Sequence, residues 1–182
     1  EIVAYPSVTG SLDAWFDWNR DGDWDDDGEW MIKRERVTPQ ADTVAVAVPA
    51  TAAPGFTFSR FRFSANGVNG PGGFAPQGEV EDYLMLTLAD RPVGSSGDGG
   101  DSNPGDGVCD DGAGNCTLRA AIQEANATGQ PTVLSFSTFT KRRTVVMPQS
   151  ALPAFTAPIV VQGGGQLEID GSQAGADAHG LD

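Results

Sequence analysis

DWNRDGD, at positions 17–23, places an oxygen-bearing side chain at every second position and then inserts a glycine. This spacing aims the side chains of Asp17, Asn19 and Asp21 at one point, and after the glycine turn Asp23 can offer its backbone carbonyl. Calcium takes about six to eight oxygen ligands, so a short loop must turn several of them inward together. The segment therefore predicts a Ca²⁺ site.

The rest of this acidic loop supports that prediction but departs from the helix-loop-helix calcium loop. That loop has a bidentate Glu at its twelfth position, where this chain has Gly28, and Glu29 follows one place later. Seven acidic residues lie between Asp17 and Glu29, and neighbouring like charges repel by about 4 kcal/mol at an effective dielectric near 20. The alternative is a solvated acidic turn. The alternating, aromatic segment Leu12–Phe16 predicts that the loop joins two strands.

Composition limits the classes of function. The chain has 182 residues, enough for one large or two small domains, and its net charge of −14 argues against nucleic acid or an anionic membrane as partner. Its 24 glycines and 12 prolines favour turn-rich β structure. No apolar run approaches the roughly 20 residues that a membrane-spanning helix needs, so we expect no membrane insertion.

Two cysteines indicate the compartment. Cys109 and Cys116 bracket a polar, glycine-rich segment that can fold back and join them. Zinc is poorly supported because His179 is the only histidine, and a redox pair usually has two intervening residues rather than six. We expect a structural disulfide, contributing about 2–2.5 kcal/mol in the chain-entropy model. It implies an oxidising exterior, and hence a secreted or cell-surface protein.

The first half of the chain has the pattern of a small antiparallel sandwich or barrel. Predicted strands are Val44–Val48, the aromatic stretch Phe56–Phe63 and Val80–Leu88. The aromatic parity changes between Phe58 and Phe61, which predicts a bulge or bend there. The four tryptophans lie at or around the acidic loop, where we expect them to pack in the core or at its rim.

The second half opens with Arg91–Gly107, a polar seam or irregular entry strand, followed by one convincing helix. Asn115 or Thr117 can cap this helix, and Gly129 ends it. Its apolar stripe contains Leu118, Ala121, Ile122 and Ala125. Short β-like runs follow, as in the coils of a solenoid with a helical cap. These runs are Thr132–Phe136, Thr144–Met147, Pro158–Gln162 and Gln166–Asp170.

One family resemblance covers about residues 8–88. GEVEDY at positions 78–83, together with the stretches Leu12–Glu29 and Arg60–Ser64, resembles the GEVED domain of bacterial secreted and surface proteins. The resemblance implies a β-sandwich module with a calcium-type acidic loop.

The implied metal ligands are then Asp17, Asn19, Asp21, Asp23 (by its carbonyl) and Glu29. Glu81 or Glu79 could complete the ligand set if the last strand lies beside the loop, because the two share one face of that strand. Pairing of these glutamates with Arg60 or Arg62 across the sheet is the alternative.

A second resemblance covers about residues 91–171. CTLRAAI at positions 116–122, with EAN at positions 124–126, is similar to the CSLREA segment that begins right-handed parallel β-helix domains in secreted bacterial proteins. It implies a capping helix, a disulfide and the first coils of a β-helix. Ala120 stands where the family has Glu, which removes one possible partner of Arg119. Family solenoids continue beyond what fits before Asp182, so either the chain is a fragment or its open end pairs with something else.

The expected fold class is therefore mainly β, an antiparallel sandwich followed by a capping helix and a right-handed parallel β-helix. Residues 1–89 form the calcium-binding domain and residues 90–182 the cap and first coils. We expect no enzyme, since no nucleophile and histidine constellation is present, but an extracellular structural or adhesive module rigidified by Ca²⁺. The alternatives are an accessory segment of a β-helix polysaccharide lyase or hydrolase, and a subunit of a self-assembling filament that associates through the open solenoid end. Binding of a glycan or cell-surface ligand by Trp24 or Trp30 is a further possibility.

Overall fold

The computed structural model divides the chain into two compact units, Glu1–Thr87 and Leu88–Asp182. The residues it describes are 1–75, 77–136, 144–165 and 167–176. Gln166, the first residue of one predicted strand, and His179 lie outside them. Within the described residues, no helix is both long and apolar enough to cross a membrane. As predicted, the described part of the chain is mainly β, with antiparallel sheets and one short α helix.

The first unit contains a four-stranded antiparallel sheet in the order β3-β2-β5-β6 and an antiparallel pair, β1-β4. The strands are β1 (Ile2–Ala4), β2 (Gly10–Phe16), β3 (Trp30–Val37), β4 (Asp42–Val44), β5 (Gly55–Ser64) and β6 (Glu79–Thr87).

The core of this unit lies on one face of the four-stranded sheet. Because side chains alternate along a strand, Leu12, Ala14 and Phe16 of β2 all point to this face. They form a buried cluster with Trp18, Ile32 and Val37. Ile2, Ala4 and Val44 of the β1-β4 pair pack against the cluster, so this pair covers the apolar face that β2 presents.

Two predictions about the strands of the first unit were wrong. The register of β5 with β6 runs without interruption from Gly55 to Phe63, so there is no bulge between Phe58 and Phe61. The parity changes because β5 presents aromatic rings to both faces: Phe56 and Phe58 are exposed, whereas Phe61 and Phe63 pack against the core.

The strand predicted at Val44–Val48 is also shorter and earlier, since β4 ends at Val44. The alternating small and larger apolar residues at positions 45–48 lie outside any strand. The irregularity in the sheet lies instead between β2 and β3, where the register shifts around Asp13. Arg34, on the opposite strand, has a φ of 55°.

The second unit combines α1 with short strands that pair in parallel. The sheets have the orders β10-β8-β7 and β11-β9. The elements are β7 (Ala89–Pro92), α1 (Leu118–Thr128), β8 (Thr132–Ser135), β9 (Thr144–Val146), β10 (Ile159–Gln162) and β11 (Leu167–Ile169), followed by a 3₁₀ turn at Gly171–Gln173.

The helix has the ends that the sequence predicts. Of the two candidate caps, Thr117 is the N-cap, because its side chain accepts the backbone N–H of Ala120. Gly129 ends the helix with a φ of 64°, and its backbone N–H donates to the carbonyl of Ala125. This left-handed conformation is one that glycine adopts without the Cβ penalty.

The apolar stripe of α1 and the strands after it share one core. Leu118, Ala121 and Ile122 are fully buried there with Val93 and Leu134. Cys109 and Cys116 form the predicted disulfide, with Cα atoms 5.0 Å apart. Both cysteines pack against this core, so the disulfide ties the chain before α1 to the core under the helix.

Candidate metal centre

The acidic loop, residues 17–29, connects β2 to β3, as the sequence predicts. The backbone N–H of Phe16 donates to the carbonyl of Glu29 at 3.0 Å, which closes the base of the loop. The N–H of Asp17 donates to the carbonyl of Phe58 on β5 at 3.0 Å. The start of the loop is thus held to both neighbouring strands.

Asp17 is buried and organises the backbone of the first turn. Its Oδ1 accepts the N–H of Arg20 at 2.6 Å, and its Oδ2 accepts the N–H of Gly22 at 3.2 Å. Arg20 has a φ of 67° and Gly22 one of 97°. Both carboxylate oxygens of Asp17 are therefore engaged with backbone donors, which gives this predicted ligand a structural role in the loop.

Arg20 fastens the loop to the beginning of β5. Its Nε donates to the carbonyl of Phe56 at 3.0 Å, and its Nη1 donates to that of Pro54 at 2.8 Å. A Cβ atom at Gly55 would lie 2.7 Å from Arg20 Nη1. Glycine at position 55 therefore allows the guanidinium to lie against the backbone of β5.

Three exposed carboxylates converge at the tip of the acidic loop. Asp21, Asp23 and Asp26 each offer an oxygen atom, and these atoms lie within 4.8 Å of one another. The Nδ2 of Asn19 donates to Asp21 Oδ2 at 2.9 Å and to Asp26 Oδ2 at 2.6 Å. The backbone N–H of Asp23 and the Asn19 amide hold the pKa of Asp21 below its usual value.

Glu29 is the buried acid of the loop, with an exposed fraction of 2%. Its Oε1 accepts the backbone N–H of Trp18 at 3.0 Å, but its Oε2 has no hydrogen-bond partner among the described residues. Burial raises the pKa of Glu29, the nearby backbone N–H groups of Trp18 and Asp26 offset part of the rise, and the charges of Asp17 and Asp21 add to it.

The structure brings some of the predicted ligands together and leaves others apart. Asp21 and Asp23 lie in the cluster, and Asp23 offers its carboxylate in addition to the predicted carbonyl. Asn19 bridges two of the three carboxylates through its amide nitrogen. Its Oδ1, the atom that would bind a cation, accepts the N–H of Asp21 at 2.9 Å.

The two glutamates of β6 lie elsewhere. Glu81 pairs in register with Phe61, two strands from β2, and with Glu79 it lines a cavity over the apolar side of the sheet. The alternative pairing with Arg60 or Arg62 is wrong. Glu81 and Glu79 lie opposite Phe61 and Phe63, and successive side chains of a strand point to opposite faces of the sheet, so the two arginines lie on the other face.

The two arginines have other partners. Arg60 forms two hydrogen bonds with Asp82, at 2.7 and 2.6 Å, which hold the pKa of that carboxyl below its usual value. Arg62 donates instead to backbone carbonyls of the glycine-rich loop before β6.

Sequence reasoning missed Asp26 as a member of the cluster. The alternate spacing pointed to the opening of the loop, whereas Asp26 belongs to the run of three aspartates at positions 25–27. The density of acids was the available signal, but it does not indicate which member of that run turns inward.

The tryptophans pack as expected. Trp30 stacks on Trp15, with ring centroids 5.2 Å apart, and Arg60 lies over the ring of Trp24 at 4.4 Å. Trp18 stacks on Phe16 at 5.0 Å and is part of the buried cluster.

The donor set fits a hard cation. All three members of the cluster offer carboxylate oxygen, and no histidine or cysteine lies among the described members. Oxygen-only sites of this kind favour Ca²⁺ or Mg²⁺ over transition metals. Glu29 does not belong to this cluster. Its unpaired Oε2 lies in the same loop, whose other buried carboxylate, that of Asp17, accepts two backbone N–H groups.

Comparison with known proteins finds a family match in the first unit only. Residues 11–86 match the family model of the GEVED domain, in agreement with the resemblance of the GEVEDY segment and the acidic loop. No curated protein matches the chain, and no solved structure matches it either.

Proposed function

We propose that the chain is a non-enzymatic extracellular module whose first unit binds Ca²⁺ in the acidic loop. The observation that carries the proposal is the convergence of Asp21, Asp23 and Asp26 within 4.8 Å, in a loop that also contains a buried glutamate with one unpaired oxygen. Like charges at such distances repel each other by about 4 kcal/mol per pair at an effective dielectric near 20. A dication relieves this repulsion and supplies the missing partner of Glu29.

The role of the ion in this proposal is to rigidify the loop. An ion that binds only the folded loop stabilises it by RT ln(1+[L]/Kd), about 2.7 kcal/mol when calcium is a hundredfold above Kd. Extracellular calcium modules often have Kd values of about 10⁻⁴–10⁻³ M, matched to calcium outside the cell. Asp21, Asp23, Asp26 and Glu29 would supply carboxylate oxygens, and Asn19 would turn its amide so that Oδ1 faces the ion.

The test of the calcium site compares two charge-matched variants in the acidic loop. Asp21→Asn removes a member of the cluster, whereas Asp27→Asn removes the same charge outside it. We expect Ca²⁺ to raise the Tm of the unmodified chain and of Asp27→Asn, and to raise that of Asp21→Asn much less. All four tryptophans lie in the first unit, so their fluorescence follows its unfolding. A Tm that is the same with calcium and with a chelator would overturn the proposal.

For the second unit we propose a helical cap and the first coils of a right-handed parallel β-helix, which would continue the module as an elongated scaffold. The support is the parallel, in-register pairing of β8 with both β7 and β10, and of β9 with β11. Among these strands β7 precedes α1 and the others follow it, and the disulfide lies directly before the helix. The disulfide also supports secretion to an oxidising compartment. An experimental structure in which these strands do not stack as successive coils would contradict the assignment.

Self-association is the second candidate, and the strand edges favour it. In the described part of the second unit, β10 and β7 are the outer strands of their sheet and leave one side of their backbone unpaired. Unpaired strand edges accept strands from another chain. Sedimentation over a range of protein concentrations tests this: a constant sedimentation coefficient up to high concentration would rule it out.

A further inference from the structure

The strand β6 forms one edge of the four-stranded sheet in the first unit, and its outer side is open. In the order β3-β2-β5-β6 it pairs with β5 alone. Every second residue of an edge strand turns its backbone N–H and C=O away from the neighbouring strand. Among the described residues, none outside β5 is hydrogen-bonded to the backbone of residues 79–86. The edge therefore presents a row of free donors and acceptors to a further strand.

The two edges of this sheet are protected differently against such an addition. The other edge strand, β3, carries four consecutive charged residues at positions 33–36. Charged side chains along an edge strand oppose the pairing of another chain with it. In β6 the acidic residues are confined to the first four positions, and the residues at positions 83–87 are all uncharged. The second half of β6 therefore lacks the protection that β3 has.

The face of β6 that points away from the apolar core is apolar at its C-terminal end. Leu84 and Leu86 are 60% and 45% exposed. They lie directly opposite Phe58 and Phe56 of β5, which are exposed as well. Exposed apolar side chains that adjoin one another mark surfaces that bind other proteins.

The opposite face of β6 is acidic at its N-terminal end. Glu79 and Glu81 line the cavity of about 620 Å³ over the apolar side of the sheet, and no lysine or arginine is among its described lining residues. Neither glutamate forms a hydrogen bond or ion pair with a described residue, whereas Asp82 is neutralised by Arg60. A second copy of β6 would bring only more acidic residues to this edge. Charge complementarity therefore favours a cationic partner.

We propose that β6 binds an extended segment of a partner protein, which joins the sheet as an additional antiparallel strand. On the cavity side, lysine or arginine residues of the segment lie opposite Glu79 and Glu81, since directly opposite residues have Cβ atoms about 4.5–5.5 Å apart. On the other face, apolar residues of the segment cover Leu84 and Leu86. Main-chain hydrogen bonds provide affinity, and the alternating side-chain contacts provide specificity. The proposal does not depend on the calcium site, because β6 lies outside the acidic loop.

The first test measures binding of the fluorescently labelled peptide Val-Thr-Val-Tyr-Thr-Lys-Val-Lys to the full chain by anisotropy at physiological ionic strength. In antiparallel register, its lysines lie opposite the two glutamates and its first two valines lie opposite the two leucines. Two further peptides carry N-methyl groups on either the odd or the even residues, so each loses the backbone donors of one of its edges.

We expect saturable binding of the unmodified peptide and of one N-methylated peptide, with the other N-methylated peptide weaker by about tenfold or more. Only a strand that pairs through one of its edges distinguishes the two. Equal affinities of the two N-methylated peptides, or no saturable binding of the unmodified peptide at millimolar concentration, would overturn the proposal.

Two double variants with the same change in charge separate the edge from the general field of an anionic chain. Glu79→Gln with Glu81→Gln removes the unpaired acids of β6, whereas Glu35→Gln with Asp27→Asn removes two exposed acids elsewhere. We expect the first variant to bind the unmodified peptide about fivefold more weakly, and the second to bind it almost as the unmodified chain does. Equal losses in the two variants would contradict the charge pairing.

The apolar contacts and the competing occupant are tested separately. Leu84→Ser changes a side chain that is 60% exposed, so the fold should be retained while the peptide binds about threefold more weakly. Unchanged affinity in Leu84→Ser would contradict the apolar contact. Sedimentation of the chain alone detects a second copy at this edge: a dimer that the peptide dissociates would show that β6 pairs with itself, and would overturn the proposal.

Discussion

The acidic loop at residues 17–29 and the segment at residues 98–115 are both rich in Asp and Gly, but their carboxylates find different partners. In the acidic loop, three exposed carboxylates face one another and Glu29 keeps one buried oxygen unpaired. Backbone donors serve Asp17, Asp21, Asp23 and, in part, Glu29. The loop therefore leaves negative charge concentrated at its tip.

The segment before α1 distributes its charges instead. Asp110 accepts the N–H groups of Gly112 and Gly114, and Asp111 accepts that of Ala113, which holds the pKa of Asp111 below its usual value. Asp98 pairs with Arg119 through two hydrogen bonds, at 2.9 and 3.1 Å. The disulfide then closes the segment covalently.

The same kind of composition can thus keep its carboxylates apart or bring three of them together, where we propose that an ion binds. In the second segment each acidic side chain has a local donor or an arginine. Although Asp101 keeps one buried oxygen unpaired, no three carboxylates converge there among the described residues, so we expect no metal requirement. In the acidic loop Asp21, Asp23 and Asp26 also have local donors, but their carboxylates lie within 4.8 Å of one another. The experiments below test this contrast, in order of decreasing expected effect.

The largest effect is expected at Glu124, the buried acid of α1. Its two oxygens accept the backbone N–H groups of Gly105 and Gly107 at 2.5 and 2.6 Å, and its side chain is fully buried. Glu124→Gln is nearly isosteric but leaves one of these donors without an acceptor. We expect a loss of about 2–3 kcal/mol in the free energy of unfolding, measured by chemical denaturation and circular dichroism. Glu35→Gln, at an exposed position, should cost almost nothing, and an equal loss in both variants would contradict this explanation.

The disulfide should have the next largest effect. Replacing both Cys109 and Cys116 by Ser releases a short loop, and the chain-entropy model gives a loss of about 2 kcal/mol. The loss should appear in the unfolding of the second unit followed by circular dichroism. Tryptophan fluorescence reports only the first unit, so its unfolding midpoint should be the same in the variant and in the unmodified chain, whether both are measured with calcium or both without it. A fluorescence midpoint of the variant that differs from that of the unmodified chain would mean that the acidic loop also depends on the disulfide, which contradicts the contrast between the two segments.

The smallest effect is expected at Glu29. Here the direction in which stability changes with pH is informative. Its pKa is raised in the folded chain, so the folded state binds the proton more tightly than the unfolded state does. Without metal, stability should therefore fall as the pH rises from the unfolded pKa through the raised folded one. Glu29→Gln removes this dependence and should stabilise the metal-free chain at neutral pH.

Calcium should reverse which of the two proteins, the unmodified chain or Glu29→Gln, is the more stable. The ion stabilises the ionised Glu29, so at saturating Ca²⁺ the unmodified chain should be the more stable and Glu29→Gln should gain less. Thermal unfolding at pH 5 and pH 7, with calcium and with a chelator, gives the four comparisons. A variant that is less stable than the unmodified chain under every condition would show that Glu29 acts only through its hydrogen bond to Trp18.

Local signals predicted much of this structure. The cap and stop of α1 were predictable because Thr117 and Gly129 act on their own neighbouring backbone. The loop between two strands was predictable from the alternation of Leu12–Phe16 and the turn chemistry after it. The disulfide was predictable because only two cysteines were available.

Features that depend on pairing between distant strands were not predictable. The register of β5 with β6 decides that Phe56 and Phe58 face outward and that Glu81 lies away from the acidic loop, and no local pattern specifies this register. The same applies to Arg62, whose partners are carbonyls of a loop whose glycines carry no side-chain signal. The identity of Asp26 as a cluster member depends on the path of the loop backbone.

The attachment of Arg20 to β5 has a kinetic consequence. Since its side chain is bound to the carbonyls of Pro54 and Phe56, and its own N–H to Asp17, we expect the backbone at the start of the acidic loop to keep its path when the proposed ion enters. The exposed carboxylates at the tip and the Asn19 amide must then rotate, and exposed side chains rotate on a timescale of roughly picoseconds to nanoseconds. Ion exchange should then be limited by dehydration and diffusion, and loading would follow rapid changes in external calcium.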